Sequence, residues 1–200
     1  MTSGKREQKK AQTRKAIVAA AVDLFSEKGY EKTSIEDLAK VADIGKSTIY
    51  TYFNTKEEIF LAFCEEEVEY SFSALRDRVD IDAPLIVQLH TLFMLQYGFV
   101  TRNREFGRIL VRETLFPKII SSRAKETDQK YLDALGEILT YAKERGEIRP
   151  ELDNFFLSAH FYMLYLGALS GLYTGYITTP GEIEAGLLIL LNQAMQGIAG

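Results

Sequence analysis

Residues 33–56, TSIEDLAKVADIGKSTIYTYFNTK, decide the fold of this chain. Their apolar positions recur at helical spacing in two runs, which predicts two short helices joined by a tight turn. Thr33 or Ser34 caps the first helix, with an acidic residue three positions later as its capping-box partner. Asp43 falls in the turn, where a left-handed backbone is usual, and Gly45 can cap the second helix. These features are typical of a helix-turn-helix, which places its second helix in the DNA major groove.

The second helix of this pair presents polar side chains on its outer face. Ile49 and Phe53 are four residues apart and share the inner face, toward the first helix. The outer positions carry hydrogen-bond donors and aromatic hydroxyls suited to phosphate oxygens and base edges: Lys46, Ser47, Thr48, Tyr50 and Tyr52. An ordinary helical hairpin with a solvated polar face is the alternative. Two exposed tyrosines, and the lack of an acidic residue from position 45 to 56, argue against it.

A longer helix is predicted on each side of the pair. The first covers about residues 13–28, carries an amphipathic stripe and is ended by the glycine that follows it. Thr13 is expected to cap this helix, so that Arg14 at its N-terminus faces a DNA phosphate. After the pair, residues 55–58 form a further capping box that starts a helix reaching about Asp80, a rod of ~35 Å.

Residues 1–12 precede the first predicted helix and are rich in basic side chains. They are open to two compatible interpretations. One is a disordered charged tail, and the other is an arm that touches the DNA backbone through Lys5, Arg6, Lys9 and Lys10. The stretch has no apolar segment, so it does not resemble a signal peptide.

Charge is divided unevenly along the chain. Residues 1–56 carry 11 Lys and Arg against 7 Asp and Glu, whereas residues 57–200 carry 13 against 21. A basic module that can approach DNA is therefore joined to an acidic body that repels it. The isoelectric point of the whole chain, about 5.4, hides this asymmetry.

One set of residues in the N-terminal third matches a known pattern: Ala20, Ala21, Leu24, Phe25, Gly29, Tyr30 and Thr33, then ADIGKSTIYTYFNTK from Ala42 to Lys56. The pattern resembles that of the TetR family of bacterial transcriptional regulators. Asp43, Gly45 and Ser47 depart from it, and Ser47 adds a side chain that is expected to alter the bases read. The resemblance implies DNA contacts from Thr33, Tyr50 and Lys56, the last two to the backbone. It also implies a dimer and an effector cavity in the body.

The body is predicted to be helical throughout, over about residues 84–101, 103–116, 121–145, some 25 residues after Asp153, and 182–198. Residues 155–177 contain no Asp, Glu, Lys or Arg, which meets the length criterion for a membrane span. Interrupting polar residues, three glycines and an acidic flank favour instead a helix that is buried on nearly all sides.

Two apolar helices near the C-terminus predict a dimer. Gly167, Gly171 and Gly175 are spaced by four and form a smooth strip for close helix approach, and the last helix presents Leu187 and Leu191. A protomer of this size does not cover both helices fully, so a second copy is expected to complete a four-helix bundle. The alternative is that the glycines pack within one subunit.

An effector pocket is predicted between residues 84–101 and 155–167. Both stretches lack charge yet carry isolated polar side chains among apolar ones, a mixture that suits a ligand cavity. The candidate ligand-binding residues are His90, Met94, Tyr97, Arg112, His160 and Met163. The many aromatic side chains indicate an apolar or aromatic ligand, and Arg112 can complement an anionic group. The alternative is an ordinary core whose polar groups are satisfied internally.

Catalysis finds little support in this sequence, which has two histidines and no metalloprotease, phosphate-loop or nucleophile-elbow motif. Cys64 is alone, so a disulfide framework and a Cys-based zinc site are not expected, and a reducing cytoplasm fits. No cofactor or metal is predicted.

The sequence therefore predicts an all-α protein with a basic arm over residues 1–12, a helix-turn-helix domain over residues 13–56 and an effector-binding and dimerisation domain over residues 57–200. The expected function is that of a dimeric DNA-binding regulator, most often a repressor released from a palindromic operator by a small molecule. Its expected partners are double-stranded operator DNA, a second copy and the effector, and no membrane. A constitutive architectural dimer without an effector is the main alternative. A helical enzyme or carrier is a weaker one.

Overall fold

Helices make up the regular structure of the computed structural model, which describes residues 3–102, 104–116 and 122–198. In chain order they are α1 (Ser3–Lys28), α2 (Ile35–Val41), α3 (Lys46–Tyr52), α4 (Lys56–Arg78), α5 (Leu85–Val100), α6 (Arg104–Leu115), α7 (Ser122–Glu144), α8 (Asn154–Thr174) and α9 (Pro180–Ile198). The all-α prediction is confirmed. For α4, α5, α6, α7 and α9 the sequence predicts both ends of the helix. Each predicted end lies within two residues of the observed one.

The α2–turn–α3 unit forms as the sequence predicts. Ser34 is the N-cap of α2, and its hydroxyl and the Asp37 carboxylate make the two reciprocal bonds of a capping box. Asp43 adopts a φ of 52° in the turn. Gly45 is the N-cap of α3 with extended backbone and no side-chain bond. Buried apolar side chains of α1, α2, α3 and α4 then share one core: Phe25, Leu38, Ile49, Phe53 and Ile59.

The first helix is longer than predicted. α1 begins at Ser3 and not at Thr13, and the Thr13 hydroxyl donates to the Lys9 carbonyl at 2.9 Å, as a side chain inside a helix does. The expectation of a separate arm over residues 1–12 is therefore corrected. Lys, Arg, Gln and Glu are good helix formers, and the stretch contains no residue that breaks a helix after Gly4.

The body packs its long helices around a second region of the core. α4 lies against α5 and α7, α8 lies between α7 and α9, and α6 contacts both α1 and α8. Fully buried side chains from four helices meet here: Leu89, Phe93, Leu135, Leu139, Phe161, Leu169 and Leu187. Contacts of α1 with both α4 and α6 join the N-terminal part to this body.

Helix α8 has two distinct faces. It is long and apolar enough to cross a membrane, but 44% of its most apolar window is buried within the protomer. Leu157, Phe161 and Tyr165 face the interior, whereas Met163 and Gly167 are exposed. The prediction of burial on nearly all sides is therefore wrong for the protomer. The helix ends at Thr174 because Gly175 takes a left-handed φ of 85°.

Candidate functional site

The outer surface of α3 is the first candidate site. Lys46, Ser47 and Tyr50 are exposed and Thr48 is half-buried, so four of the predicted DNA-contacting side chains share one accessible surface, called here the recognition face. Lys46 pairs with Glu36 of α2 at 2.8 Å, and this hydrogen bond lowers the pKa of the Glu36 carboxyl. The pair is solvated and weak, so a phosphate or a base can replace Glu36.

The start of α1 lies beside α3 and adds positive charge to this surface. A wide groove of about 950 Å³ separates the two helices, with Arg6, Lys9 and Lys10 on one side. Thr48 and Tyr52 stand on the other side. We call this the basic groove. Because its cations are held on a helix, they have fixed positions relative to the recognition face.

Lys56 occupies a different position from the one predicted. Its ammonium group donates to the carbonyl oxygens of Tyr30 at 2.5 Å, Thr33 at 3.0 Å and Glu31 at 3.3 Å. It also lies 4.6 Å from the centre of the Tyr30 ring. This cation therefore serves the α1–α2 loop, and its expected contact with a DNA phosphate stays a prediction.

Thr33 and Arg14 are likewise structural in this arrangement. Thr33 is 2% exposed, and its hydroxyl donates to the Gly29 carbonyl oxygen at 2.9 Å, so it holds the loop before α2, and its expected DNA contact stays a prediction. Arg14 is inside α1 and not at a helix N-terminus. Its guanidinium lies 3.5 Å from the carboxylates of Glu65 and Glu66 and 5.3 Å from the centre of the Phe53 ring. The expectation that Arg14 faces a phosphate from a helix N-terminus is corrected.

A cavity of about 190 Å³ inside the body is the second candidate site. Its walls come from α4, α5, α6, α7 and α8, and we call it the inner cavity. The polar and aromatic side chains that line it are Phe60, Cys64, Glu67, Gln96, Glu113, Thr114, Thr127, Asp128, Tyr131, Tyr162 and Tyr165.

The electrostatics of the inner cavity centre on Glu67. This side chain is 7% exposed, and its carboxylate accepts a hydrogen bond of 3.4 Å from the Ser71 hydroxyl. Burial raises the pKa of Glu67 to about 8. Burial also raises the pKa of the Cys64 thiol and of the Tyr131 phenol. The Glu67 carboxyl therefore holds its proton at neutral pH while the cavity is empty.

Two further polar groups line the cavity without a hydrogen-bond partner. They are the amide nitrogen of Gln96 and the hydroxyl of Tyr165, both fully shielded from solvent. The oxygen of the same Gln96 amide accepts a bond of 3.1 Å from the Tyr131 hydroxyl. Buried donors without partners are rare in folded proteins, and a bound ligand is one way to satisfy them.

The predicted ligand-binding residues do not line this cavity. Met94 and Tyr97 of α5 pack against the core, and His90 is half-buried with its Nε2 unpartnered. Arg112 pairs with its neighbour Glu113 at 2.6 Å. His160 and Met163 are exposed on the outer face of α8, with Met163 at 52%. The prediction failed because α8 is apolar on all sides, so its sequence does not tell which face turns inward.

Glu67 was missed, although the sequence contains a signal for it. It belongs to the acidic run Glu65–Glu66–Glu67, which is typical of a solvated surface. However, Glu67 also follows Phe60 and Phe63 by seven and four residues, which places it on the buried stripe of α4. A carboxyl group in line with an apolar stripe indicates a buried ionisable side chain, which marks a candidate functional site.

The residues predicted to form the dimer interface lie in different environments in the structure. Leu187 and Leu191 are fully buried within their own protomer, and Gly175 is the C-cap of α8. Gly171 faces Ile177 of its own chain, whose Cδ1 would lie 3.1 Å from a Cβ at that position. Gly167 and Gly175 are exposed, whereas Gly171 is half-buried. The outer surface of α8 and α9 instead carries exposed large apolar side chains: Phe155, Phe156, Met163, Leu188 and Ile189.

Within the described ranges, no group of three or more His, Cys, Asp or Glu side chains is arranged to hold a metal ion.

Comparison with known proteins gives a consistent assignment. Residues 17–63 match the family described as bacterial regulatory proteins, tetR family. The fatty acid metabolism regulator protein of Bacillus subtilis is 25% identical over 138 residues, which is 68% of this chain and 71% of that protein. The chain spans 64% and 48% of two other regulators that it matches.

Solved structures share the fold over almost the whole chain. The regulator FadR of Bacillus subtilis, in complex with stearoyl-CoA, superposes with a TM-score of 0.73 and 21% identity, covering 92% of this chain and 98% of that one. FadR of Thermus thermophilus, in complex with lauroyl-CoA, gives a TM-score of 0.72 and 22% identity, covering 92% and 94%.

Proposed function

Because this chain is a member of the TetR family of bacterial regulatory proteins, we propose that it is a cytoplasmic transcriptional repressor that binds operator DNA as a dimer. A small molecule that enters the inner cavity releases the operator. The family is one of transcriptional regulators, and we propose no catalytic activity.

The arrangement of α1 beside α3 is the observation that carries the DNA-binding part of the proposal. The recognition face supplies donors for base edges, and the basic groove supplies Arg6, Lys9 and Lys10 for the phosphates next to it. Lys46 and Ser47 lie in the first turn of α3, where side chains reach the bases. Tyr50, 48% exposed, is assigned to the DNA backbone.

The dimer is proposed from the outer surface of α8 and α9. Exposed apolar side chains on both helices, including Met163 and Ile189, suit burial against the same surface of a second copy. A twofold axis there brings two recognition faces to one operator. The operator is then a near-palindrome with half-sites about 34–36 Å apart.

The inner cavity supports an effector site. The FadR structures hold stearoyl-CoA and lauroyl-CoA. For this chain the aromatic walls favour a ligand with an apolar or aromatic body. The cavity of about 190 Å³ lies below the usual range of about 300–1,000 Å³, so the ligand is compact. Glu67, which lines the cavity, lies on α4 eleven residues after the start of that helix. Because α4 follows α3 directly, a ligand in the cavity contacts the helix that leads to the recognition face.

Selection of bound fragments from the source genome tests the DNA-binding part. We expect one near-palindromic sequence to be enriched, and fluorescence anisotropy then gives its affinity. Lys46→Ala should change the preferred bases, by about 1–3 kcal/mol for each lost base contact. Lys130→Ala on the exposed side of α7 is the matched control. Enrichment without a shared sequence would contradict a specific repressor and favour an architectural dimer.

The effector part is tested by thermodynamic linkage. A compound that raises the melting temperature of the free protein is titrated with and without operator DNA. If it is an effector, DNA weakens its binding by the same factor by which it weakens DNA binding, with a coupling of about 1–3 kcal/mol. Equal affinities with and without DNA would show that the compound does not regulate operator binding, and would contradict the effector role of the cavity.

A further inference from the structure

The inner cavity has an unusual charge distribution for a site that faces apolar walls. It is lined by the buried side chain of Glu67, and Glu113 and Asp128 lie on the same lining. Among the described residues that line it, none is Lys, Arg or His. An anionic ligand would meet carboxyl groups on three walls, whereas a cation would meet an opposite charge.

The second carboxyl of the lining is already compensated from outside. The guanidinium of Arg112, a side chain that is 47% exposed and does not line the cavity, lies 2.6 Å from the Glu113 carboxylate. Within the described part of the chain Glu67 has no comparable cation, and its carboxylate accepts a hydrogen bond from the Ser71 hydroxyl. A positively charged ligand inside the cavity would therefore supply the counter-charge that Glu67 lacks.

Aromatic rings surround the same carboxyl. The rings of Tyr131 and Tyr162 lie 4.3 Å apart, and the Tyr165 ring is stacked on Phe93 at 5.1 Å. Burial raises the pKa of all three tyrosines, and the charge of Glu67 raises it further, while all four side chains line the same cavity. Ring faces attract cations, so carboxyl and rings favour the same kind of ligand.

Unpartnered polar atoms show that the site is built for an occupant. The Tyr165 hydroxyl, which lines the cavity, has no hydrogen-bond partner, and the residue is 3% exposed. The Gln96 amide nitrogen beside it is also unpartnered. A ligand that carries a hydrogen-bonding group next to its charge can satisfy both.

We propose that the inner cavity binds a small organic monocation, an amine or quaternary ammonium on a compact apolar or aromatic body, with its charge against Glu67 and the tyrosine rings. This proposal rests on the proposed function, because it names the ligand class of the effector site. It differs from the acyl-CoA ligands of the FadR structures, whose phosphates are anionic.

Proton release follows from this assignment. The carboxyl of Glu67 has a pKa of about 8 and is protonated in the empty cavity at neutral pH. A bound cation stabilises the carboxylate, so one proton leaves for each ligand that binds. The other ionisable groups on the packed helices are Cys64, Glu113, Asp128, Tyr131, Tyr162 and Tyr165. The raised pKa of Cys64 and of the tyrosines keeps these groups neutral at the same pH.

Calorimetric titration of the free protein tests the charge requirement directly. The probes are phenyltrimethylammonium, its uncharged isostere tert-butylbenzene, and benzoate as an anion of similar size. We expect the cation to bind at least about tenfold more tightly than the isostere, and benzoate not to bind. Tighter binding of tert-butylbenzene, benzoate or lauroyl-CoA, or no binding of the cation at millimolar concentration, would overturn the proposal.

The carboxyl itself is tested with Glu67→Gln, which keeps the shape of the side chain. This variant should lose about tenfold or more in affinity for phenyltrimethylammonium and none for tert-butylbenzene. Glu69→Gln, on the exposed side of the same helix, is the matched control. Retained operator binding and circular dichroism show that the variant is folded. A cation affinity unchanged by Glu67→Gln would place the charge recognition elsewhere and overturn the assignment.

The pH dependence gives a second readout. Between pH 6 and 7 the affinity of the wild-type protein for phenyltrimethylammonium should rise about tenfold, and level off above pH 8. The Glu67→Gln variant should show a flat profile, and a flat wild-type profile would contradict proton release. These titrations contain no DNA. A cation that binds through Glu67 yet leaves operator binding unchanged would refute the regulatory role while it supports the ligand class.

Discussion

At the scale of single residues, Lys56 shows how a cation next to the helix-turn-helix can take a structural role. Its ammonium group bonds to three carbonyl oxygens of the α1–α2 loop and lies over the Tyr30 ring. These carbonyls lie in the loop between the end of α1 at Lys28 and the start of α2 at Ile35. Lys56 therefore fixes the loop that sets the position of α2, and so of the recognition face.

We expect Lys56→Ala to lower the free energy of unfolding by about 1–2 kcal/mol, because partly buried carbonyl groups lose a charged donor. Urea denaturation followed by circular dichroism measures this. Lys32→Ala, an exposed lysine of the same loop, should change it by less than about 0.5 kcal/mol. Equal stability of the two variants would contradict a structural role for Lys56 and would favour its predicted contact with the DNA backbone.

Glu67 makes a prediction about pH and stability. Its pKa is about 8 in the folded protein against an ordinary value of 4.5, so the folded state holds the extra proton between these values. The free energy of unfolding therefore falls as pH rises from about 4.5 to about 8, by about 3–5 kcal/mol for this group. Denaturant titrations at several pH values should show Glu67→Gln gaining stability over the wild type across that window. Parallel curves would contradict it.

At the scale of elements, α1 differs from its prediction for a definite reason. An apolar stripe marks the part of a helix that packs against a core, and in α1 buried apolar residues begin at Ile17. The exposed turns before Thr13 carry no such stripe, so the spacing of apolar residues did not predict that they are helical. Their helicity rests on good helix formers and on continuity with the packed half.

The position of these turns gives the next prediction. The double variant Lys9→Gln, Lys10→Gln should weaken binding to all DNA sequences alike and lower the slope of log affinity against log salt by about two. Affinity for the operator is measured by anisotropy from low to moderate salt. Lys15→Gln, also exposed on α1 but outside the basic groove, should leave the slope unchanged. A change of base preference in the double variant would argue against purely phosphate contacts.

Helices α5 and α8 mark the limit of prediction at this scale. Their existence and bounds could be predicted, because both are long apolar runs with recognisable ends. The rotation of each helix about its axis could not be predicted, because a helix without a polar face does not show in its sequence which side faces the core. The choice of His160 and Met163 as cavity residues failed for this reason, whereas the turn around Asp43 was predicted since its signals are local.

At the scale of the whole molecule, assembly makes the last prediction. Met163→Lys places a charge at the centre of the apolar outer surface of α8 and should convert a dimer into a monomer in sedimentation at micromolar concentration. Operator affinity should fall with it, because one protomer then binds one half-site. Val87→Lys, at an exposed apolar site on α5, is the control. A wild-type monomer, or a Met163→Lys dimer, would contradict the proposed interface.

The bonds of Arg14 have a consequence for how the protein unfolds and for how it can be recombined. Arg14 lies in α1, yet its partners Glu65 and Glu66 lie on α4, beyond the boundary drawn at residue 56. Ile59 and Phe60 of α4 also belong to the core around Phe53. A fragment cut at residue 56 would lack these partners and should not fold cooperatively by itself. A chimaera between relatives should therefore be joined after residue 66, in the middle of α4, if its DNA-binding half is to keep its native stability.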